Sequence, residues 1–180
     1  MELRDRCFLA LLRDGLYGVC SQESRELAAN MDRVLQDQVL ELARLHNLFP
    51  LLAQQMLLLN PPGLPREAVR SITIQALARQ TVATQELLAL TQALERAAVP
   101  ALVVKGAVCR SLYPTPDLRP SSDEDILIRP EDLARAEEVF RQRGYSLQEE
   151  GDPGEAVRTW CAPGLRVELH RSLCGDLTVA

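Results

Sequence analysis

The hydrophobic period of this chain changes once, at Pro100, and no other feature constrains the fold as much. Up to Val99, apolar residues recur at three and four: Phe8, Leu11 and Leu12; Val39, Leu42 and Leu45; Leu52 and Met56; Leu87, Leu90, Leu94 and Ala97. That spacing lines one face of an amphipathic α-helix. Gly15, Gly18 and Ser21 interrupt the first pair of helices, and Pro50 either opens a helix at its first turn or kinks one. NPPGLP, residues 60–65, breaks the helical pattern. A long helix is expected from Pro65 to Ala98, with Gln80, Gln85, Gln92 and Arg96 off its apolar face; Pro100 ends it through the restriction placed on Val99.

Beyond Pro100 the segments are short. Ala101–Val104 is a continuous apolar run bounded by Pro100 and Lys105-Gly106, which suits a buried strand. A short helix is expected from Gly106 to about Tyr113, then a Pro-rich loop, then a strand from Asp123 to Ile128. Pro130 opens another helix, with Glu131 and Asp132 in its first turn and Arg141, Arg143 and Gly144 at its end. Tyr145–Glu149 reads as a strand, residues 151–154 as a turn, and Ala156–Cys161 as a returning hairpin arm. Leu165–Leu169 alternates, with Val167 and Leu169 on one face and Arg166, Glu168 and His170 on the other. The expected class is α+β: a helical lobe over residues 1–98 packed on a mixed-sheet core over residues 99–180.

Of the 180 residues 47% are hydrophobic and 25% charged, ordinary globular values; few aromatics (4%) and much Leu and Ala lean towards helix. The net charge of -5 offers no basic footprint for general nucleic-acid binding. No apolar stretch is long enough to span a bilayer, and MELRDRC lacks the layout of a signal peptide. The expectation is a cytoplasmic protein. Cys7, Cys20, Cys109, Cys161 and Cys174 are odd in number and show no ligand spacing, so they read as reduced, mostly buried filler.

The stretch RPSSDEDILI, residues 119–128, is where chemistry first suggests itself. Alone, its acidic triplet is most economically a solvated turn. On a strand, Asp123 and Asp125 point one way, while Glu124 points the other with Ile126 and Ile128. Two converging carboxylates favour a cation between them, and Mg²⁺ takes such oxygen ligands. Glu168, on an alternating strand whose polar face also carries His170, offers a third carboxylate. Three can hold two Mg²⁺ ions about 3.5–4 Å apart, the arrangement that serves phosphoryl or nucleotidyl transfer. Lys105-Gly106, at a strand-to-helix turn, supplies positive charge and backbone donors for a phosphate, and Arg119 could add a guanidinium fork. Glu168 taken singly is a surface strand residue, Lys-Gly is common turn chemistry, and His170 is a surface residue or a site contributor. His46 reads as a half-buried helix residue.

In their order along the chain these pieces resemble the uncharacterised nucleotidyltransferase family of the polymerase-beta-like superfamily. ALVVKGAVCRSLYP is similar to that family's strand, Lys-Gly turn and helix; Arg119 with SSDEDILI to its Arg and paired-Asp strand; Gly144-Tyr145 follows the intervening helix; and VELH resembles the strand bearing the third acid and a His. ELARLHNLFPLL is similar to the segment ahead of the core, so the likeness runs from about residue 35 to 173. It implies Asp123, Asp125 and Glu168 as catalytic metal ligands, with Lys105, Gly106, Arg119 and His170 on the nucleotide side.

The resemblance implies a Mg²⁺-dependent enzyme that moves a nucleoside monophosphate from a nucleoside triphosphate, ATP above all, to a hydroxyl or phosphate acceptor. Three departures stand beside it. Lys105-Gly106 replaces the superfamily's usual Gly-Ser; Glu124 stands where an apolar residue is usual, implying a less buried back face that tolerates change; and the chain stops soon after Leu173, implying a core truncated at its C-terminus. The alternative is a shortened, catalytically impaired relative that binds protein through its helical lobe. A glycosyltransferase DxD site fits poorly, because the apolar run follows the acids here instead of leading into them.

Overall fold

The computed structural model describes residues 1–148 and 157–172. The turn at 151–154, the outer residues of the two neighbouring expected strands and Cys174 lie outside them. The chain forms two compact units, Met1–Gln80 with Arg110–Pro120, and Thr81–Cys109 with the chain from Ser121 onward.

The first unit is helical: α1 (Leu3–Tyr17), α2 (Gln22–Ala29), α3 (Arg33–Leu45), α4 (Phe49–Leu59) and the first half of α5 (Arg66–Arg96). Each boundary has a local cause. The Ser21 hydroxyl accepts from the Ser24 N–H at the start of α2, and the Asp32 carboxylate accepts from the Leu35 N–H at the start of α3. Pro50 sits in the first turn of α4 and Asn60, in the left-handed conformation, closes that helix, so the proline starts a helix and kinks none. Phe8, Leu11, Val39, Leu52 and Met56 meet in the core. Leu45 does not join it: Leu40 and Ala43 fill that face of α3, and Leu45, in the last turn, is exposed. His46 is likewise an exposed cap of α3, its ring tilted against Phe8.

α5 buries Leu87, Leu90 and Leu94 as its period requires, but it buries Gln80 as well, against expectation. The helix ends where Ala98 turns left-handed and the Val99 N–H reaches back to the Leu94 carbonyl.

The second unit is a five-stranded sheet with helices. Its strands are β1 (Ala101–Val103), β2 (Glu124–Ile128), β3 (Ser146–Gln148), β4 (Val157–Ala162) and β5 (Leu165–His170), in the order β1-β2-β5-β4-β3. Only the central β2–β5 pair is parallel among these pairings, so the sheet is mixed. α6 (Ala107–Arg110) follows β1 and α7 (Leu133–Gln142) follows β2. α6 is one turn, shorter than expected. A 3-10 turn, Pro130–Asp132, leads into α7. Ile126, Val167, Leu169, Trp160 and Phe140 form the core with the C-terminal half of α5. Among the described residues no helix is long and apolar enough to cross a membrane.

Candidate active site on β2 and β5

The parallel pairing decides what converges. Asp125 stands opposite Glu168, and Leu127 opposite His170. Partners across a ladder share a face, so Asp125, Glu168 and His170 project together from the side opposite Ile126, Val167 and Leu169. Apolar packing of that inner face therefore sets the register that gathers the polar groups on the outer one.

Asp125 is the centre of the group. It is only 4% exposed, and one of its oxygens, Oδ1, lies 2.9 Å from His170 Nε2 and accepts a 3.1 Å bond from Lys105 Nζ. His170 Nε2 is also 3.7 Å from Glu168 Oε2. One ligand atom from each of Asp125, Glu168 and His170 falls within 4.8 Å of the others. Two carboxylates and an imidazole at that spacing could hold a divalent cation; the carboxylates are the oxygen donors that Mg²⁺ takes, whereas the imidazole is a donor better matched to softer ions. The bond to Asp125 raises the Lys105 ammonium above its ordinary pKa; the charges of Asp125, Glu168 and Asp123 act the same way, against a smaller desolvation effect.

The other expected site residues are placed as follows. Asp123 lies just before β2, half-buried, its carboxylate accepting from the Ser122 hydroxyl. It is outside the three-residue group, though Lys105 feels its charge. Arg119 belongs to the first compact unit, where it caps a 3-10 turn, Pro116–Leu118. Gly106 sits at φ +40 between β1 and α6, and Lys105 reaches from there to Asp125.

Glu124 corrects the sequence reading. It does point away from Asp125, but its back face is among the most buried positions of the chain at 1% exposure. Its Oε2 accepts a 2.8 Å bond from the Ala107 N–H. Two signals in the sequence pointed here. A carboxylate on the core face of a buried strand must find a donor, and Lys105 is the only lysine in the chain; a lone, compact ammonium among many guanidiniums marks its turn as distinct.

A family model for an uncharacterised nucleotidyltransferase matches residues 32–178 of the chain. No curated protein matches it.

Proposed function

Because this chain belongs to that uncharacterised nucleotidyltransferase family, we propose that it is a Mg²⁺-dependent nucleotidyltransferase with a polymerase-beta-like core. It moves a nucleoside monophosphate from ATP to a hydroxyl or phosphate of an acceptor. The observation that carries this reading is the convergence of Asp125, Glu168 and His170 on one sheet face, with Lys105 at the same oxygen of Asp125.

Each residue then has a task. Asp125 and Glu168, with Asp123 assigned as a further ligand, would hold one or two Mg²⁺ ions, which would supply charge stabilisation at the transferring phosphoryl group. Lys105 lies at the rim, 3.1 Å from Asp125, where its ammonium can meet a phosphate as a point charge. Glu168 is the more exposed of the two carboxylates, which suits it to take the proton of an acceptor hydroxyl. His170 braces Asp125 from the β5 side and fixes its orientation. A cytoplasmic setting agrees with the free thiols of Cys7, Cys20, Cys109 and Cys161.

Isothermal titration tests the reading. ATP should bind in the presence of Mg²⁺ and bind at least about tenfold more weakly without it, and Asp125→Ala should abolish the Mg²⁺-dependent part, a loss above about 1.4 kcal/mol. Equal heats with and without Mg²⁺, or an unaltered Asp125→Ala titration, would reject it.

Two observations favour a second reading, a catalytically impaired relative acting as a protein-binding scaffold. Asp125 already has Lys105 and His170 as partners, and Leu9 and Leu16 stand exposed seven residues apart on α1. That reading requires a flat response to all four nucleoside triphosphates in a thermal-shift screen with Mg²⁺, together with partner binding that nucleotide does not alter.

A further inference from the structure

The Lys105–Gly106 turn is tied to two consecutive residues of β2. At its near end the Val104 N–H donates to the Asp125 carbonyl at 3.0 Å. At its far end the Ala107 N–H donates to the Glu124 carboxylate at 2.8 Å. The Val108 N–H closes the turn onto the Lys105 carbonyl at 2.8 Å. Between these anchors the Lys105 side chain leaves the turn and reaches Asp125 on the opposite face of the strand. The two neighbours in β2 thus hold the turn from both sides of the sheet, Glu124 through the backbone and Asp125 through the ammonium.

Glu124 and Gly106 are fitted to one another. A Cβ at position 106 would fall 1.9 Å from Glu124 Oε2 and 2.5 Å from its Cδ, and the backbone there has φ +40. No side chain shares that space with the carboxylate, so glycine at 106 is what lets Glu124 reach the Ala107 N–H. A carboxylate buried this deeply is held only if it is bonded, and one bond it makes is to the backbone that carries the chain's single lysine.

We propose that Glu124 is the positioning residue of this turn, acting through Ala107 to set where the Lys105 ammonium stands over Asp125. The inference rests on the reading of Lys105-Gly106 as the phosphate turn, and it makes the middle acid of the DED triplet a functional residue without any contact to metal or nucleotide. Aspartate, one methylene shorter, falls short of the Ala107 N–H; glutamine keeps both reach and acceptor.

Because Lys105 is the only lysine, ¹³C-lysine labelling of the whole chain yields a single side-chain Cε resonance. In wild-type protein it reports the Lys105–Asp125 contact directly. Glu124→Gln should leave that resonance in place, whereas Glu124→Asp and Glu124→Met should move and broaden it, with Trp160 fluorescence confirming that each variant is folded. Two variants are used so that one failing to fold leaves the other decisive. An unmoved resonance in a folded Glu124→Asp or Glu124→Met protein overturns the proposal.

The second arm uses ATP with Mg²⁺ as the probe. Glu124→Met should weaken binding by about tenfold, Glu124→Gln by less than about threefold, and in a Lys105→Ala background Glu124→Met should add no further loss, as expected when one residue acts through the other. Fully additive losses would show a general structural role and sink the idea. A wild-type protein that ignores nucleotide rejects the phosphate-turn reading alone, because the resonance arm decides the positioning role without nucleotide.

Discussion

Asp14 shows how the chain treats a charge it places out of water. The residue is wholly buried in the helical unit. Burial alone would push its carboxyl up. Bonds from the Ser21 N–H, the Ser21 and Ser24 hydroxyls and the Arg13 guanidinium outweigh that effect and hold it below the usual aspartate value. The sign of the pH dependence follows. The folded state prefers the ionised form, so this contribution is complete above the unfolded pKa near 3.9 and is lost as pH falls through the lower folded value. Asp14→Asn should therefore cost about 1–2 kcal/mol at pH 7, and the gap from wild type should close below about pH 4. Urea unfolding at pH 7 and pH 3 measures it; an equal gap at both would show that charge is irrelevant there. Glu124 belongs to the same type, a buried acid bonded to a backbone N–H; strand alternation gave it the correct direction, beside Ile126 and Ile128, while its departure from the family pattern suggested the wrong surroundings. Periodicity states which way a side chain points. It does not state what lies there, because Gly106 and Ala107 are 18 and 17 positions upstream and arrive only through tertiary folding.

At the level of elements, the helical period, the break at Pro100 and the alternation of β5 were all legible, since each is a local consequence of side-chain geometry. The pairing was not. Nothing local in EDILI or LRVELH specifies that the two strands run parallel and adjacent with Asp125 facing Glu168. That register comes from burying Ile126, Val167 and Leu169 on one inner face, a non-local choice, and a slip of one residue would turn the whole acidic face inward. His170 joined the acids for the same reason. Close packing between α1 and α4 was equally hidden. Gly15 read as an interruption of the first helices, yet it lies within α1, where a Cβ would meet Leu51 at 2.9 Å. It is there to let two helices approach. Gly15→Ala raises helix propensity by about 1 kcal/mol, but the contact with Leu51 should reverse the sign, giving a net loss of about 1–2 kcal/mol. Chemical denaturation of Gly15→Ala, with and without a compensating Leu51→Ala, tests this: the second change should recover part of the loss in the double-mutant cycle. A stabilised single variant would show that Leu51 simply moves aside.

The whole molecule carries two apolar cores, one built around Leu52 and Met56 in the helical unit and one around Trp160 and Phe140 in the sheet unit. The proposed site residues Asp125, Glu168, His170 and Lys105 all belong to the second unit. A perturbation of one core can therefore be separated from a ligand acting on the other, and the chain supplies its own reporter. Trp160 is the only tryptophan and is 1% exposed in the sheet core, so its fluorescence follows that unit, while far-UV circular dichroism is weighted towards the helices. ATP with Mg²⁺ at about 100 times its dissociation constant should stabilise the Trp160 transition by about 2.7 kcal/mol. Leu52→Ala, which empties part of the helical core, should lower the dichroism transition by about 2–5 kcal/mol and displace the fluorescence transition much less. If Leu52→Ala shifts both signals equally, the two cores unfold as one cooperative body, and nucleotide bound at the sheet would then protect the helices too. If the signals part, binding energy collected at Asp125 and Lys105 stays in the unit that holds them.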